Sequence, residues 1–271
     1  MPSSLAREVA RLKARRPSAS CRPVPPDRVE FAARQLGIEP DDWQADFLTS
    51  GATRVLMNCS RQSGKSTVAA IRALHEALAK PSSLTLILAP SERQAQELFA
   101  KVAGFYRQLG QASYTTPDSD RKSGMALANG SRIEALPGSS DRTVRGFSGV
   151  SLLIVDEASR VDDGLYYAAR PMLAVSGGTL MMLTTPYGKR GVFFKEWTGG
   201  EGWVRYEVPA TECPRIPRAF LAEERRSLPD WVFRQEYLCS FEETEDAVFT
   251  TEMVDGAVSR DVKPLFGDGV A

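Results

Sequence analysis

The segment Cys59–Thr67, with the sequence CSRQSGKST, places the tightest constraint on what this chain can fold into. It follows a short apolar run, Val55–Asn58, and leads into a stretch of helix-forming residues, Thr67–Ala79. A strand, a tight loop and a helix together form the context in which backbone amides and a helix N-terminus bind phosphate groups. The segment therefore predicts a phosphate-binding loop at the end of a buried strand.

Each residue type in this loop suits the binding of a nucleoside triphosphate. Gly64 lets the backbone approach the phosphates, Lys65 brings an ammonium group to the β- and γ-phosphates, and the Ser66 hydroxyl can ligate Mg²⁺. The usual pattern has a glycine where this chain has Cys59, so a second motif must support the interpretation. We expect nucleotide contacts from the whole loop: Ser60, Arg61, Gln62, Ser63, Gly64, Lys65, Ser66 and Thr67.

That second motif is Ser151–Ser159, SLLIVDEAS, about ninety residues further along the chain. Leu152–Val155 is a continuous apolar run, as expected of a parallel strand that is buried on both faces. Asp156 and Glu157 follow at its carboxyl end, where ligands bind in open α/β sheets. We expect Asp156 to hold Mg²⁺ and Glu157 to polarise the attacking water. The alternative is that the pair simply begins a surface helix, and the upstream loop favours the catalytic interpretation.

Length and composition indicate an ordinary soluble chain. Its 271 residues are 42% hydrophobic and 25% charged, typical of a globular protein of one large or two small domains. No apolar run approaches the roughly 20 residues that span a bilayer, and the N-terminus lacks the apolar core of a secretory signal. We therefore expect a cytoplasmic protein without membrane contact. The cysteines and the single histidine, His75, lack metal-ligand spacing, which argues against a zinc site.

The net charge is zero, but the charges are unevenly distributed. Residues 1–34 contain eight Lys or Arg against three acids, whereas residues 241–271 contain eight acids against two basic residues. This asymmetry suggests that the two ends meet different partners, and the alternative is that both are solvated termini.

Apolar and alternating runs predict a mainly parallel α/β sheet with right-handed crossovers. The predicted strands are Val55–Asn58, Leu84–Ala89, Ser131–Leu136, Leu152–Val155, Gly178–Thr184 and Trp203–Val208. The predicted helices are residues 1–16, Val29–Gly37, Thr67–Ala79, Glu92–Leu109, Gly164–Ala174, Arg218–Ser227 and Pro229–Cys239. We expect a basic arm and linker over 1–39, a nucleotide-binding core over 40–208, a helical lid over 209–245 and an acidic tail or linker remnant over 246–271.

Four segments in this order carry a family resemblance: SRQSGKST, then RTVRGFSG (Arg142–Gly149), then LLIVDEAS, then LTTP (Leu183–Pro186). Together they resemble the ATPase half of a terminase large subunit, the DNA-packaging motor of tailed bacteriophages and prophages, over about residues 40–245. That family's loop also has Arg and Gln before Ser-Gly-Lys. The resemblance implies a P-loop ATPase fold of the additional-strand (ASCE) type, with a mainly parallel sheet flanked by helices and a small C-terminal lid. It implies ATP and Mg²⁺ as ligands.

The resemblance also implies roles for residues outside the two central motifs. Thr184 and Thr185 match a coupling motif that senses loss of the γ-phosphate, although a Thr-Pro pair can also merely end a strand. Gln44 matches a glutamine that binds the adenine edge, although it could instead belong to an amphipathic helix start. Arg61 could reach the γ-phosphate in cis. Arg145 is our candidate for an arginine acting in trans on a neighbouring subunit, with Arg142 as the alternative.

The implied function is ATP hydrolysis coupled to translocation of double-stranded DNA into a procapsid. The implied partners are duplex DNA, a homo-oligomeric ring on the phage portal and the small terminase subunit. Terminase large subunits usually carry a second, nuclease domain whose acidic residues bind two metal ions. The lone Asp268 near the end of this sequence cannot form such a metal cluster, so we expect no DNA cleavage by this polypeptide. Two alternatives stay open: a helicase-like DNA-dependent ATPase, and a non-catalytic nucleotide-binding assembly module.

Overall fold

A computed structural model describes residues 24–109, 123–137 and 146–243, together with residues 253, 256 and 257. Seven strands form one sheet in this part of the chain. They are β1 (Arg54–Cys59), β2 (Leu84–Ala89), β3 (Gly124–Ala126), β4 (Arg132–Pro137), β5 (Leu152–Asp156), β6 (Thr179–Thr184) and β7 (Val204–Val208). Their order is β3-β4-β2-β5-β6-β1-β7, and every neighbouring pair is parallel except β3 and β4.

The position of β6 confirms the additional-strand fold. This strand lies between β1, which leads into the phosphate-binding loop, and β5, which leads into the acidic pair. Asn58 of β1 is paired with Thr184 of β6, and Asp156 of β5 is paired with Leu183 of β6. The carboxyl ends of three parallel strands therefore meet at one edge of the sheet, where open α/β folds bind their ligands.

The described ranges contain eight α-helices. They are α1 (Arg28–Leu36), α2 (Asp42–Thr49), α3 (Lys65–Ala79), α4 (Glu92–Gln108), α5 (Asp163–Ala169), α6 (Gly191–Gly199), α7 (Arg218–Ser227) and α8 (Asp230–Tyr237). Helices α1 to α4 bury their apolar faces against one side of the sheet, and α5 and α6 against the other. Val55 and Met57 of β1 face the first core while Leu56 faces the second, which explains why the central strands are apolar throughout.

Local signals set most helix ends where the sequence predicts them. The Ser91 hydroxyl accepts a hydrogen bond from the Gln94 amide and begins α4. Gly37 ends α1 in the left-handed conformation, with φ of 63°. Helix α5 stops earlier than predicted, because Pro171 cannot continue an α-helical ladder, and Arg170–Leu173 forms a 3₁₀ turn instead.

Strand β3 and helix α6 were not predicted, and α2 matches only the alternative interpretation of the segment around Gln44. Strand β3 has only three residues and pairs antiparallel with β4 at the sheet edge, too short to give a pattern. Helix α6 contains Gly191, Gly199 and an aromatic cluster rather than a regular amphipathic repeat. Its aromatic side chains pack on the second core, so tertiary contacts rather than local propensity stabilise this helix.

Helix α1 corrects the predicted start of the folded body near residue 40. Phe31 and Ala32 are fully buried in the first core, and the Phe31 ring contacts the His75 ring edge-on at 5.3 Å between centroids. His75 Nε2 also lies 2.8 Å from the Pro25 carbonyl oxygen. The packed body therefore includes residues that the sequence assigned to a linker, because a short helix with a strong apolar stripe docks wherever it can bury that stripe.

The predicted helix over residues 1–16 lies outside the described residues, as does the acidic tail apart from three positions. Within the described ranges, none of the helices combines the length and the apolar character that crossing a bilayer requires.

The burial of α1 gives a stability prediction. Phe31→Ala should lower the free energy of unfolding by about 3–5 kcal/mol, because it removes a large buried side chain and leaves a cavity. Urea denaturation monitored by circular dichroism measures this loss. Arg34→Ala, which breaks only an exposed pair with Glu30, should change the value by about 0.5 kcal/mol or less. An equally small effect of both substitutions would mean that α1 is not part of the core.

Candidate nucleotide-binding site

A cavity of about 650 Å³ opens at the carboxyl ends of β1, β5 and β6. Its lining is rich in cationic and hydroxyl side chains, as a site for a polyphosphate requires. The residues that line it are Arg61, Gln62, Gly64, Lys65, Ser66, Thr67, Gln94, Lys101, Glu157, Arg160, Thr185 and Arg215. Seven of them belong to the phosphate loop or the acidic motif predicted from the sequence, and Thr185 belongs to the predicted coupling motif.

The Lys65 ammonium group joins the three strand ends. Its Nζ donates to Thr185 Oγ1 at 3.1 Å and lies 3.4 Å from Glu157 Oε1. Lys65 begins α3, Glu157 follows β5, and Thr185 follows β6. The structure thus brings these three predicted site residues to one point. A triphosphate bound there would meet an ammonium group, a carboxylate able to hold water and a hydroxyl together.

Asp156 is a buried carboxyl group beside this point. Burial raises its pKa to about 6, the neighbouring Glu157 charge adds to the rise, and Lys65 and Lys101 oppose it. Asp156 Oδ1 accepts the Glu157 amide at 3.0 Å. Because burial opposes the ionisation of this carboxyl group, a cation bound beside it would stabilise its charged form. Ser66 lines the neighbouring cavity, whose lining does not include Asp156. This donor set fits Mg²⁺, a hard cation that binds few protein oxygens together with phosphates.

Glu157 has an unusual backbone that aims its side chain. Its φ of 50° and ψ of 44° lie in the left-handed region, which a residue with a Cβ rarely adopts. The turn continues as a 3₁₀ helix, Ala158–Arg160, in place of the surface helix of the alternative interpretation. Strain of this kind is retained where it orients a functional group.

The coupling motif contacts both neighbouring segments. Thr184 Oγ1 accepts the Ser159 amide at 3.3 Å and donates to the Thr185 carbonyl oxygen at 2.8 Å. Thr184 is fully buried, so its hydroxyl fixes the turn after β5, whereas Thr185 presents its hydroxyl to Lys65. The two adjacent threonines therefore do different work, and only Thr185 lines the cavity.

The side chain of Gln44 packs closely against the phosphate loop. Gly64 has φ of 95°, and a Cβ added there would lie 2.5 Å from Gln44 Nε2. Gly64 therefore meets two demands that only glycine satisfies, a left-handed backbone and contact with a buried side chain. Two residues of the loop itself, Ser60 and Ser63, are fully buried and do not line the cavity. Any contact from those two residues to a phosphate would come from the main chain.

Gln44 lies against the loop instead of in the cavity. Its Oε1 accepts the Asp41 amide at 3.0 Å at the start of α2, and its Nε2 lies 3.5 Å from the Ser63 carbonyl oxygen. Both ends of the carboxamide already have partners, so contact with an adenine edge would require it to exchange them. The adenine role of Gln44 stays a prediction.

Arg61 points out of the loop toward the C-terminal helices. Its guanidinium pairs with the Glu236 carboxylate of α8, and its amide donates to the Glu236 carbonyl oxygen at 3.2 Å. The hydrogen bond to Glu236 raises the Arg61 pKa. Arg142 and Arg145, the candidates for an arginine acting in trans, lie outside the described residues.

Several cavity residues were missed by the sequence analysis. Lys101 of α4 donates to Thr67 Oγ1 at 3.3 Å, and burial lowers its pKa. Arg215 binds Asp41 at 2.6 Å and the Ser63 carbonyl oxygen at 2.8 Å. Neither carries a local sequence signal, because only the folding of distant segments brings them to the loop. Arg160 had one available signal, its position three residues after Glu157.

Comparisons with known proteins identify a family. The family model described as terminase large subunit, T4likevirus-type, N-terminal, matches residues 56–255. The terminase large subunit of Thermus phage G20c is 27% identical over 248 residues, which cover 79% of this chain and 51% of that protein. This chain thus spans about half the length of the curated relatives it matches.

Solved structures give the same fold. The large terminase ATPase domain of Thermus phage P74-26 superposes with a TM-score of 0.69 at 25% identity, covering 82% of this chain and all of that chain. The large terminase of another thermophilic bacteriophage, solved in complex with ADP, superposes with a TM-score of 0.62 at 13% identity. That match covers 74% of this chain and 54% of that chain.

The buried Asp156 carboxyl group gives a pH prediction for the protein without metal. Its folded pKa, about 6, exceeds the ordinary value of 3.8, so between these values the folded state binds more protons than the unfolded state. Its contribution to stability is therefore present at low pH and is lost as the pH rises through about 6. Asp156→Asn should raise the free energy of unfolding by about 1–3 kcal/mol at pH 8 in EDTA, and by little near pH 4.

Urea titrations at both pH values measure this effect. Glu201→Gln, at an exposed position before β7, serves as the matched control and should change neither value by more than about 0.5 kcal/mol. The same stabilisation by Asp156→Asn at pH 4 and pH 8 would contradict the assignment of a raised pKa.

Proposed function

Because this chain belongs to the family of T4likevirus-type terminase large subunits, whose N-terminal part it matches, we propose that it hydrolyses ATP to move double-stranded DNA into a procapsid. The observation that carries the proposal is the meeting of Lys65, Glu157 and Thr185 at one cavity. Phosphoryl transfer to water needs charge stabilisation and a positioned water more than covalent chemistry, and these three groups supply both.

In the proposed reaction, water attacks the γ-phosphorus in line with the oxygen that leaves on ADP. Lys65 and the loop amides bind the phosphate oxygens, and Glu157 orients the water and accepts its proton as the new P–O bond forms. Ser66 and Asp156 would hold Mg²⁺, which when bound neutralises charge on the phosphates. Thr185, at the end of β6, orients Lys65 by accepting its hydrogen bond. We propose that the position of Thr185 changes when the released phosphate leaves.

The nucleotide assignment has support from both the site and a relative. The cavity volume and its cationic lining suit a nucleoside polyphosphate. The large terminase of the thermophilic bacteriophage described above, which shares the fold, was solved with ADP. We propose ATP as the nucleotide, with Gln44 reading adenine after it releases its present partners.

For the arginines, we propose separate roles. Arg61 would leave Glu236 for the γ-phosphate in cis, since it lines the cavity and its guanidinium is exposed enough to exchange its present partner. Arg145 would act in trans on the site of a neighbouring subunit, with Arg142 as the alternative, because a stabilising arginine supplied in trans can add about 10³–10⁵ in rate.

The proposed partners follow from the family. They are duplex DNA, bound mainly through its phosphates and therefore sensitive to salt, a ring of identical subunits on the phage portal, and the small terminase subunit. We propose that segment 209–245 acts as a lid over the site and that the setting is the cytoplasm of the infected host.

The proposal predicts the ATP turnover of site variants. Glu157→Gln should lower the turnover number by at least about 10²-fold while ATPγS still binds, because the amide keeps the shape but cannot accept a proton. Lys65→Ala should abolish binding and turnover together. Duplex DNA should stimulate the wild type, and Glu201→Gln should behave as wild type. A phosphate-release assay with and without duplex DNA makes these measurements.

Other outcomes of that assay would redirect the proposal. Unchanged turnover in Glu157→Gln would remove the assignment of the water-activating carboxylate. Stimulation by single-stranded DNA with strand separation would favour a helicase-like ATPase. Binding of ATPγS without any turnover by the wild type would favour a non-catalytic assembly module.

The proposed role of Arg145 predicts complementation between inactive subunits. Turnover per subunit should rise with protein concentration, and mixtures of Arg145→Ala and Lys65→Ala subunits should recover part of the activity. Recovery requires that a Lys65→Ala subunit donate its intact Arg145 to the site of an Arg145→Ala neighbour. Absence of recovery at every mixing ratio would leave Arg145 as a residue with a local role, and the same mixtures made with Arg142→Ala test the alternative.

A further inference from the structure

The cations around the cavity differ in what they contact. Lys65 is bound by Thr185 and Glu157, while Arg61 is paired with Glu236. Two further cations of the cavity also donate hydrogen bonds to the protein. Lys101 donates to Thr67, and Arg215 donates to Asp41 and to the Ser63 carbonyl oxygen. Within the described part of the chain, these four cationic side chains are therefore already engaged by the protein.

Arg160 is the exception among the cavity cations that the structure describes. Its guanidinium makes no hydrogen bond or ion pair with any described residue, and its Cζ lies 3.8 Å from the centroid of the Tyr187 ring. A guanidinium stacked on an aromatic ring keeps its five N–H donors at the edge of its plane, available to an anion. The stack orients Arg160 without using its donors.

The position of Arg160 indicates which part of a nucleotide it would meet. Its amide donates to the Glu157 carbonyl oxygen at 2.8 Å, so it lies on the same 3₁₀ turn as the proposed water-activating carboxylate. Tyr187 comes two residues after Thr185, on the loop that leaves β6. Arg160 and its aromatic support are thus tied to the two segments that flank the site of water attack, and not to the loop that binds the other phosphates.

From this placement, we infer that Arg160 is a phosphate-binding residue for the terminal phosphate of the triphosphate, with Tyr187 as its positioning residue. The inference rests on the proposed function, since it requires that a nucleoside triphosphate bind at this cavity. It adds a cation on the turn that follows the acidic motif. Tyr187 directly follows the predicted coupling motif, Thr184–Pro186. Loss of the terminal phosphate would release Arg160 from its ligand and would thereby alter the contact that Arg160 makes with the loop after β6.

Nucleotide affinities of the full chain test the inference. Dissociation constants for ATPγS and ADP, each with Mg²⁺, are measured for wild type and variants by isothermal titration. Arg160→Ala should raise the dissociation constant for ATPγS by about tenfold or more and that for ADP by less than about threefold, because only ATPγS carries the terminal group. A residue that merely supported the fold would weaken both nucleotides together.

The chain offers a matched control and a test of the stack. Arg190 also lies over the Tyr187 ring, at 5.2 Å, but does not line the cavity, so Arg190→Ala should leave both affinities unchanged. Tyr187→Phe keeps the aromatic face and should behave as wild type, whereas Tyr187→Leu should weaken ATPγS selectively. Tyr187→Leu added to Arg160→Ala should cause no further loss, since the ring acts through the arginine.

The outcomes separate this inference from the proposed function. If the wild type binds ATPγS and turns over ATP while Arg160→Ala keeps its preference for ATPγS over ADP, the inference is wrong and the proposed function stands. Equal weakening by Arg190→Ala would also overturn it, because a general charge effect would then suffice. If the wild type binds neither nucleotide, both fail. Arg160→Lys, which keeps the charge without the planar stack, gives an intermediate loss and guards against a misfolded alanine variant.

Discussion

The Lys65 ammonium group is the contact on which the arrangement of this site depends. It lies between Thr185 and Glu157, at the ends of the adjacent strands β6 and β5, although Lys65 itself follows β1, about ninety residues before Glu157 in the chain. Strand β6 pairs with both β1 and β5, so the carboxyl ends of the three strands lie side by side at one edge of the sheet. The sheet order is therefore the cause of the site, and the helices on both faces serve to hold that order.

The site retains features that oppose stability. Asp156 is a buried carboxyl group with a raised pKa, and Glu157 has a backbone conformation that side chains rarely adopt. Gly64 has a left-handed backbone in close contact with the Gln44 side chain. The large apolar cores on both faces of the sheet offset these local costs. Backbone strain and a buried carboxyl group beside a cavity, with ordinary packing elsewhere, are features that cluster at functional sites.

Most of the fold could be predicted because its signals are local. The central strands are apolar throughout, since both faces are buried, and Ser91 and Gly37 mark helix ends by their own chemistry. Lys65, Asp156 and Glu157 could be assigned because each lies at a fixed offset from a strand end. Helix α6 and strand β3 could not, because the packing of other segments stabilises them.

The remaining site residues depend on contacts between distant segments. The stack of Arg160 on Tyr187, the bonds of Arg215 to the loop and the approach of Lys101 to Thr67 join positions from 27 to 152 residues apart. No periodicity or motif in one sequence encodes such pairs. Gln44 shows that a motif match does not by itself place a side chain in the cavity. Its carboxamide packs against the loop, with its oxygen and its nitrogen both in contact with the main chain.

Three bonds join the end of β1 and the phosphate loop to α8 and the residues just after it. Asn58 donates to the Cys239 carbonyl oxygen at 2.8 Å, and Arg61 binds Glu236 through both its side chain and its amide. A force that pulls α8 away from the sheet would therefore act directly on the backbone that determines where the loop amides point. Nucleotide affinity should accordingly vary with mechanical tension on α8.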